Sequence, residues 1–197
     1  GGLALFGAIA SLVYLTAWLA PPLNVGEALG GRFVLDVVAW WFKVAFLVSA
    51  IGTLAISEAS DEISSRSKTE YYIILLFTVA GMCFLASARD MVTLYVSLEL
   101  AGIPLYALST WKKNALSTEA GLKFLILGAT ASACLLYGLG LLYGISGTTN
   151  LVEAGHVTQM GVGYWFAVAL VIAGSGFKMS MVPFQLWTPD VYQGSPT

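Results

Sequence analysis

Charge is what this sequence has least of. Asp, Glu, Lys and Arg make up 10 % of its 197 residues, against 58 % apolar, whereas a soluble domain carries about a quarter charged residues. So little charge cannot solvate a surface of this size, and much of that surface must face lipid. The formal net charge of −2 lacks the basic excess that nucleic acid would demand of a partner. Cysteine is nearly absent. Cys83 and Cys134 lie in separate apolar runs without CxxC spacing and read as small core residues. The single histidine, His156, stands in a polar stretch and reads as a loop residue. Paired histidines for haem and clustered thiolates for an iron–sulfur centre are therefore missing. So are a P-loop, a GxGxxG turn, a GxSxG elbow and any metal-ligand cluster. A chemical active site on this chain is not expected. If the chain serves a redox machine, it does not carry the electrons.

What is present is long apolar runs. A bilayer-spanning helix needs about 20 mostly apolar residues, and six stretches qualify: 3–20, 33–57, 71–88, 90–110, 118–145 and 161–182. The first stops at Pro21-Pro22, has no basic region ahead of it and no small-residue cleavage site behind it. It does not read as a signal peptide. The chain opens Gly1-Gly2 rather than Met and stops at Ser195-Pro196-Thr197, so a piece of a longer polypeptide is expected. The runs are too long for strands and lack period-2 alternation. In lipid the backbone must satisfy itself, which selects helices. Ser117 or Thr118 is the expected cap of the fifth helix. Gly138, Gly140, Gly144 and Gly147 punctuate that helix, and Gly140 to Gly144 has GxxxG spacing for a close helix contact. Arg66 and Lys68 follow the second run, and Lys112 and Lys113 follow the fourth. Only Arg32 and Arg89 lie on the opposite side. The positive-inside rule then puts loops 58–70 and 111–117 in the cytoplasm and loop 146–160 outside.

Four charges fall inside the predicted spans: Lys43, Glu99, Lys123 and Lys178. Each costs about 2.5–3.5 kcal/mol at a helix centre, so each is expected to meet a partner, a water cavity or a substrate. Glu99 is nine residues into its run, about 13 Å deep, and is too short to snorkel. Desolvation would raise its pKa and a nearby lysine would lower it, which suits proton exchange near neutral pH. Pro104 removes a backbone donor five residues on and is expected to kink the helix. The bland alternative is a static ion pair. Lys178 sits in Gly174-Ser-Gly-Phe-Lys-Met-Ser-Met-Val-Pro-Phe-Gln-Leu-Trp, with Pro183 expected to break the helix beside it, as in helices that line cavities. The alternative is a lysine snorkelling to the interface, with Trp187 as a belt anchor. Lys123 has Glu119 at i−4, so a surface pair is as good a reading as a functional one. Lys43, after Trp40-Trp41-Phe42, reads as shielded near an interface. Asp36, Arg89 and Asp90 read as helix-end charges.

The segments around these charges resemble a known family. Ala86-Ser-Ala-Arg-Asp-Met-Val-Thr-Leu-Tyr-Val-Ser-Leu-Glu-Leu, Pro104-Leu-Tyr-Ala-Leu, Ser117-Thr-Glu-Ala-Gly-Leu-Lys-Phe-Leu-Ile-Leu-Gly-Ala, Leu142-Tyr-Gly-Ile-Ser-Gly-Thr-Thr and Phe177-Lys-Met-Ser-Met-Val-Pro-Phe-Gln-Leu-Trp-Thr-Pro-Asp-Val-Tyr-Gln-Gly-Ser-Pro-Thr look like the antiporter-like subunits of respiratory complex I. Within that group the pattern is most similar to the subunit N type of NADH–quinone oxidoreductase, mitochondrial and plastid counterparts included. The likeness is strong over 71–197 and loose before it.

The resemblance implies an all-α integral membrane fold of about fourteen helices with two inverted five-helix repeats, each holding a broken helix. The chain would be the N-terminal half of such a subunit, a single membrane domain over 1–197. Residues 1–70 would hold the first two spans, and 71–197 an incomplete first proton-channel repeat whose last helix breaks at Pro183. The family's functional glutamate and two lysines fall on Glu99, Lys123 and Lys178, as elements of a proton half-channel. Pro104, Pro183, Gln185 and Trp187 are supporting positions. The family commonly has a histidine where Gln185 stands. Glutamine can orient water but cannot take up a proton near neutral pH. The resemblance further implies a parent complex using NADH (or ferredoxin), FMN, iron–sulfur clusters and quinone. Neighbouring membrane subunits, lipid and protons would be the partners, with the bacterial inner membrane favoured over mitochondrial or thylakoid membranes. Alternatives are a multisubunit Na⁺/H⁺ antiporter subunit and a structural subunit with static buried pairs. An anion or solute channel lacks a like-charge ring.

Overall fold

Apolar runs separated by capped breaks give a nearly all-helical chain. The computed structural model describes residues 1–17, 26–60, 63, 67–156 and 161–195. Its helices are α1 (Gly2–Ala17), α2 (Val37–Ala59), α3 (Lys68–Leu85), α4 (Met91–Ser109), α5 (Ala115–Ser146), α6 (Leu151–Ala154), α7 (Val162–Lys178) and α8 (Thr188–Gly194). A short hairpin joins β1 (Gly26–Ala28) to β2 (Phe33–Leu35). Of the six expected spans, α2, α3, α4 and α5 are long and apolar enough to cross a bilayer. The helices of the first and sixth, α1 and α7, are shorter apolar helices of 16 and 17 residues. Pro21-Pro22, the expected stop of the first span, and Arg66, one of the orienting cations, lie outside the described residues. Helices this long and apolar are suited to a bilayer.

Four local expectations are corrected. The second apolar run does not begin as helix. Residues 33–35 pair with 26–28 around a turn in which Leu29, Gly30 and Gly31 all have positive φ. Asp36 then caps α2 by accepting the Ala39 N–H at 2.8 Å. The cap of α5 is Asn114, whose Oδ1 accepts from the Ser117 amide at 2.8 Å. Ser117 lies inside the helix, fully buried, and donates its hydroxyl to the Ser109 carbonyl at the end of α4. Neither Gly140 nor Gly144 makes a close helix contact; a Cβ at either would meet nothing within 4 Å. Finally, α7 stops at Lys178, well before Pro183. Pro183 cannot donate and disfavours helix at Val182, and Ser180 already has φ 52°.

The described residues form two units. The first comprises Gly1–Arg89 and Val96–Leu108. In it α1 packs on α2 and α2 on α3. Trp40 donates to the Leu15 carbonyl at 3.2 Å, and Asp36 pairs with Arg89 at 2.8 Å. The hairpin docks on the end of α3 through Val34 N–H to Ser87 O and Arg89 N–H to Arg32 O. Gly81 brings α3 onto the α4 backbone, since a Cβ there would sit 2.7 Å from the Leu100 carbonyl carbon. The second unit comprises Asp90–Tyr95 and Ser109–Thr197, and its core is α5 on α7. A Cβ at Gly138 would lie 2.9 Å from the Ala167 oxygen. One at Gly174 would lie 2.6 Å from the Ala131 oxygen and 2.7 Å from Leu135 Cβ. These contacts run antiparallel, so the end of α7 approaches the first half of α5.

Candidate functional site

The second unit gathers charge where α7 breaks. After Lys178 the chain turns tightly: Met181 N–H reaches the Gly176 carbonyl at 2.8 Å, and the Phe184 ring packs over Gly176. A 3-10 turn, Gln185–Trp187, leads into α8. Trp187 ties the break down. Its ring stacks on Phe124 of α5 at 4.5 Å, lies 5.2 Å from Phe177, and its Nε1 donates to the Phe177 carbonyl. That is an internal brace rather than the belt anchor considered from sequence. Pro189 sits in the first turn of α8, where a missing N–H costs nothing. Gly194 lets α8 lie against the opening turns of α5, because a Cβ there would come 2.9 Å from the Leu116 oxygen.

This docking carries Asp190 to Lys123. The Lys123 ammonium lies 2.8 Å from Asp190 Oδ2 and 2.7 Å from Glu119 Oε1. The i−4 pair with Glu119 was legible as a spacing; Asp190, 67 residues away, was not singled out. The one sequence signal for it was an acid beside a proline just past the broken helix. The cluster lines a cavity of about 130 Å³ with Leu116, Ala120 and Gln193. Lys123 is 45 % exposed and Asp190 53 %. With 32 residues α5 is about 48 Å long, against a hydrocarbon core of about 30 Å. Lys123, the ninth residue, is about 12 Å from the helix start and thus nearer the end of the apolar zone than its middle.

Lys178 is the last residue of α7, half-buried, where a cation complements the helix dipole. Gln185 is partly buried, and its Oε1 is buried without a hydrogen bond among the described residues. Such an acceptor needs a donor, and a water molecule would supply one.

In the first unit Glu99 is half-buried on α4, two residues after the buried Ser97 and beside the Leu100–Ala101 backbone that Gly81 clamps. The helix runs on through Pro104, which leaves the Leu100 carbonyl without its usual intrahelical donor next to that carboxyl. Each of the two units is thus furnished separately: Glu99 and Pro104 in the first, Lys123, Lys178, Pro183, Gln185 and Trp187 in the second. The helix-end charges fall as expected. Asp90 caps α4 by accepting from Val92 and Thr93. The Asp36 carboxyl is held below the usual carboxylate range, first by the Ala39 N–H and then by the Arg89 guanidinium. His156 is exposed in a turn.

Residues 88–197 match the family described as NADH:quinone oxidoreductase/Mrp antiporter, TM, more than half of the chain. The chain belongs to this family. Among curated relatives, the NADH-quinone oxidoreductase subunit N of Erythrobacter litoralis is 41 % identical over 199 residues, covering 96 % of this chain and 41 % of the relative. The chain therefore spans about two fifths of that relative's length. Among solved structures, a chain of respiratory complex I from Thermus thermophilus superposes with a TM-score of 0.81 at 36 % identity, over 98 % of this chain and 41 % of that one. A chain of the Mrp complex from Dietzia sp. DQ12-45-1b shares the fold, with a TM-score of 0.71 at 21 % identity, over 98 % of this chain and 37 % of that one.

Proposed function

We propose that this family member is part of a proton-translocating membrane subunit of a redox-driven quinone oxidoreductase, fed by NADH or ferredoxin. It would move protons through Glu99, Lys123 and Lys178 and carry no electrons itself. The observation that supports this most is the ion cluster at Lys123. A lysine inside an apolar helix meets an acid of its own helix and a second acid delivered by the segment that follows the helix break. Any shift of that segment changes the electrostatic field on Lys123.

In this reading Glu99 and Lys178 each load and release a proton in turn, and Lys123 passes it along hydrated polar groups. Gln185 would seat a bridging water on its buried, unbonded Oε1, so it aids transfer without itself titrating. Pro104 would free the Leu100 carbonyl for such water. NADH, FMN, iron–sulfur clusters and quinone belong to other parts of the assembly, which would supply neighbouring membrane subunits. The chain would form the N-terminal part of a fourteen-helix subunit, with residues 71–197 inside its first repeat. The bacterial inner membrane is the expected location, in line with the bacterial relatives.

The test uses the full-length subunit in its assembled, reconstituted complex, with Glu99→Gln and Lys178→Met. Loss of protons pumped per electron is expected in both. Unchanged stoichiometry in both would sink the reading. Proton exchange driven by sodium without any quinone or NADH would instead favour the antiporter branch of the family.

A further inference from the structure

Lys43 takes no part in that path. It is the seventh residue of α2 and half-buried. Among the described residues its ammonium makes no hydrogen bond or ion pair. The nearest carboxylate on its own helix, Asp36, is two turns back and already bound to Arg89 and the Ala39 amide. Lys43 borders an open groove of about 480 Å³ between α1, α2 and α3, lined also by Ala10, Ser11, Tyr14, Leu15, Leu47 and Cys83. That volume lies within the range of small-molecule sites, about 300–1,000 Å³. Its walls are mainly apolar, and Ser11 has turned its hydroxyl onto its own helix, donating to the Gly7 carbonyl at 2.9 Å.

Depth identifies the occupant. Lys43 lies about 9 Å along α2 from Val37, but Cα–Cβ bonds lean toward a helix's N-terminus and long cations snorkel. Snorkelling would carry the ammonium back toward the level of the exposed Trp41 and the Asp36–Arg89 pair, residue types of a membrane interface. Tyr14, next to the Leu15 whose carbonyl Trp40 holds, also lines the groove. We propose that this groove is a binding site for an anionic phospholipid, with the phosphate on Lys43 and an acyl chain along Leu15 and Leu47. An unpaired cation at headgroup level above an apolar channel is complementary to that molecule. A partner helix would instead have to bring a carboxylate to the interface and fill the groove. The site is independent of the proton path, and its test does not read proton pumping.

The full-length subunit in its complex is delipidated, placed in phosphatidylcholine nanodiscs and titrated with phosphatidylglycerol, bound lipid being counted by native mass spectrometry. The native protein should hold one more phosphatidylglycerol than Lys43→Met. Lys43→Arg should retain it, and Leu47→Trp, which fills the groove but keeps the charge, should lose it. Reactivity of the Lys43 amine, read on the native protein, should rise at least tenfold on delipidation and fall again on adding phosphatidylglycerol. Equal lipid counts in native protein and Lys43→Met overturn the proposal. So does an amine that stays protected after delipidation, because a protein carboxylate then holds it.

Discussion

Lys43 and Lys123 occupy similar positions, about two turns into apolar helices, and have opposite surroundings. Lys43 faces a groove without an acid, whereas Lys123 is held by Glu119 and Asp190 at 2.7 and 2.8 Å. The same contrast extends to their units. In the first, α1, α2 and α3 leave an open groove of about 480 Å³. In the second, α5, α7 and α8 close through glycines, and a broken helix delivers a charged partner. The insertion cost of a lysine thus says that something must answer the charge, and the neighbouring elements decide what. On α5 the answer is built into the chain. On α2 no described residue supplies one.

The largest expected effect tests the glycine-closed packing. Gly174→Leu has to displace the α5 backbone and should cost about 3 kcal/mol or more, read as loss of folded full-length protein or a lowered thermal midpoint. Gly140→Ala, on the motif the sequence favoured, should lie within about 0.5 kcal/mol of the native protein. Equal effects would mean that the helix contact is drawn on the wrong glycines.

Next in size is the polar edge of the first unit. Asp36→Ala removes a helix cap and should cost about 1 kcal/mol. Asp36→Asn keeps the cap and should cost less. Because the folded-state pKa of Asp36 is depressed, its stabilising contribution is present above the unfolded value near 4. That contribution is lost as pH falls through the folded value. Acid titration of stability should therefore show a step in the native protein that Asp36→Asn lacks.

The smallest effects concern the Lys123 cluster. Asp190→Asn and Glu119→Gln should each lower the thermal midpoint by less than Asp36→Ala does, since all three groups are substantially exposed and screened. A double-mutant cycle should show coupling between the two acids through their shared lysine. A drop larger than that of Asp36→Ala for either would show that the assembled subunit buries the cluster, and would sharpen the contrast with Lys43.

By itself the sequence determined that the chain is helical and membrane-embedded, because apolar runs of this length leave the backbone no other way to satisfy itself. It also located the charges that must be answered, and the i−4 acid beside Lys123, because helical spacing is local. Caps are only half legible: Asp36 reads as a helix-end charge, but Ser117 or Thr118 reads as the α5 cap where Asn114 holds it, since any small polar residue near the start fits the pattern. Tertiary structure decided the rest. Of the glycines the pattern offers it used Gly138 and Gly174 but not Gly140 and Gly144, ended α7 at Lys178 rather than Pro183, and brought Asp190 to Lys123 while leaving Lys43 facing a groove. Those outcomes depend on which helix faces pack and where a broken helix turns back, and residues 67 positions apart carry no spacing from which their contact can be read.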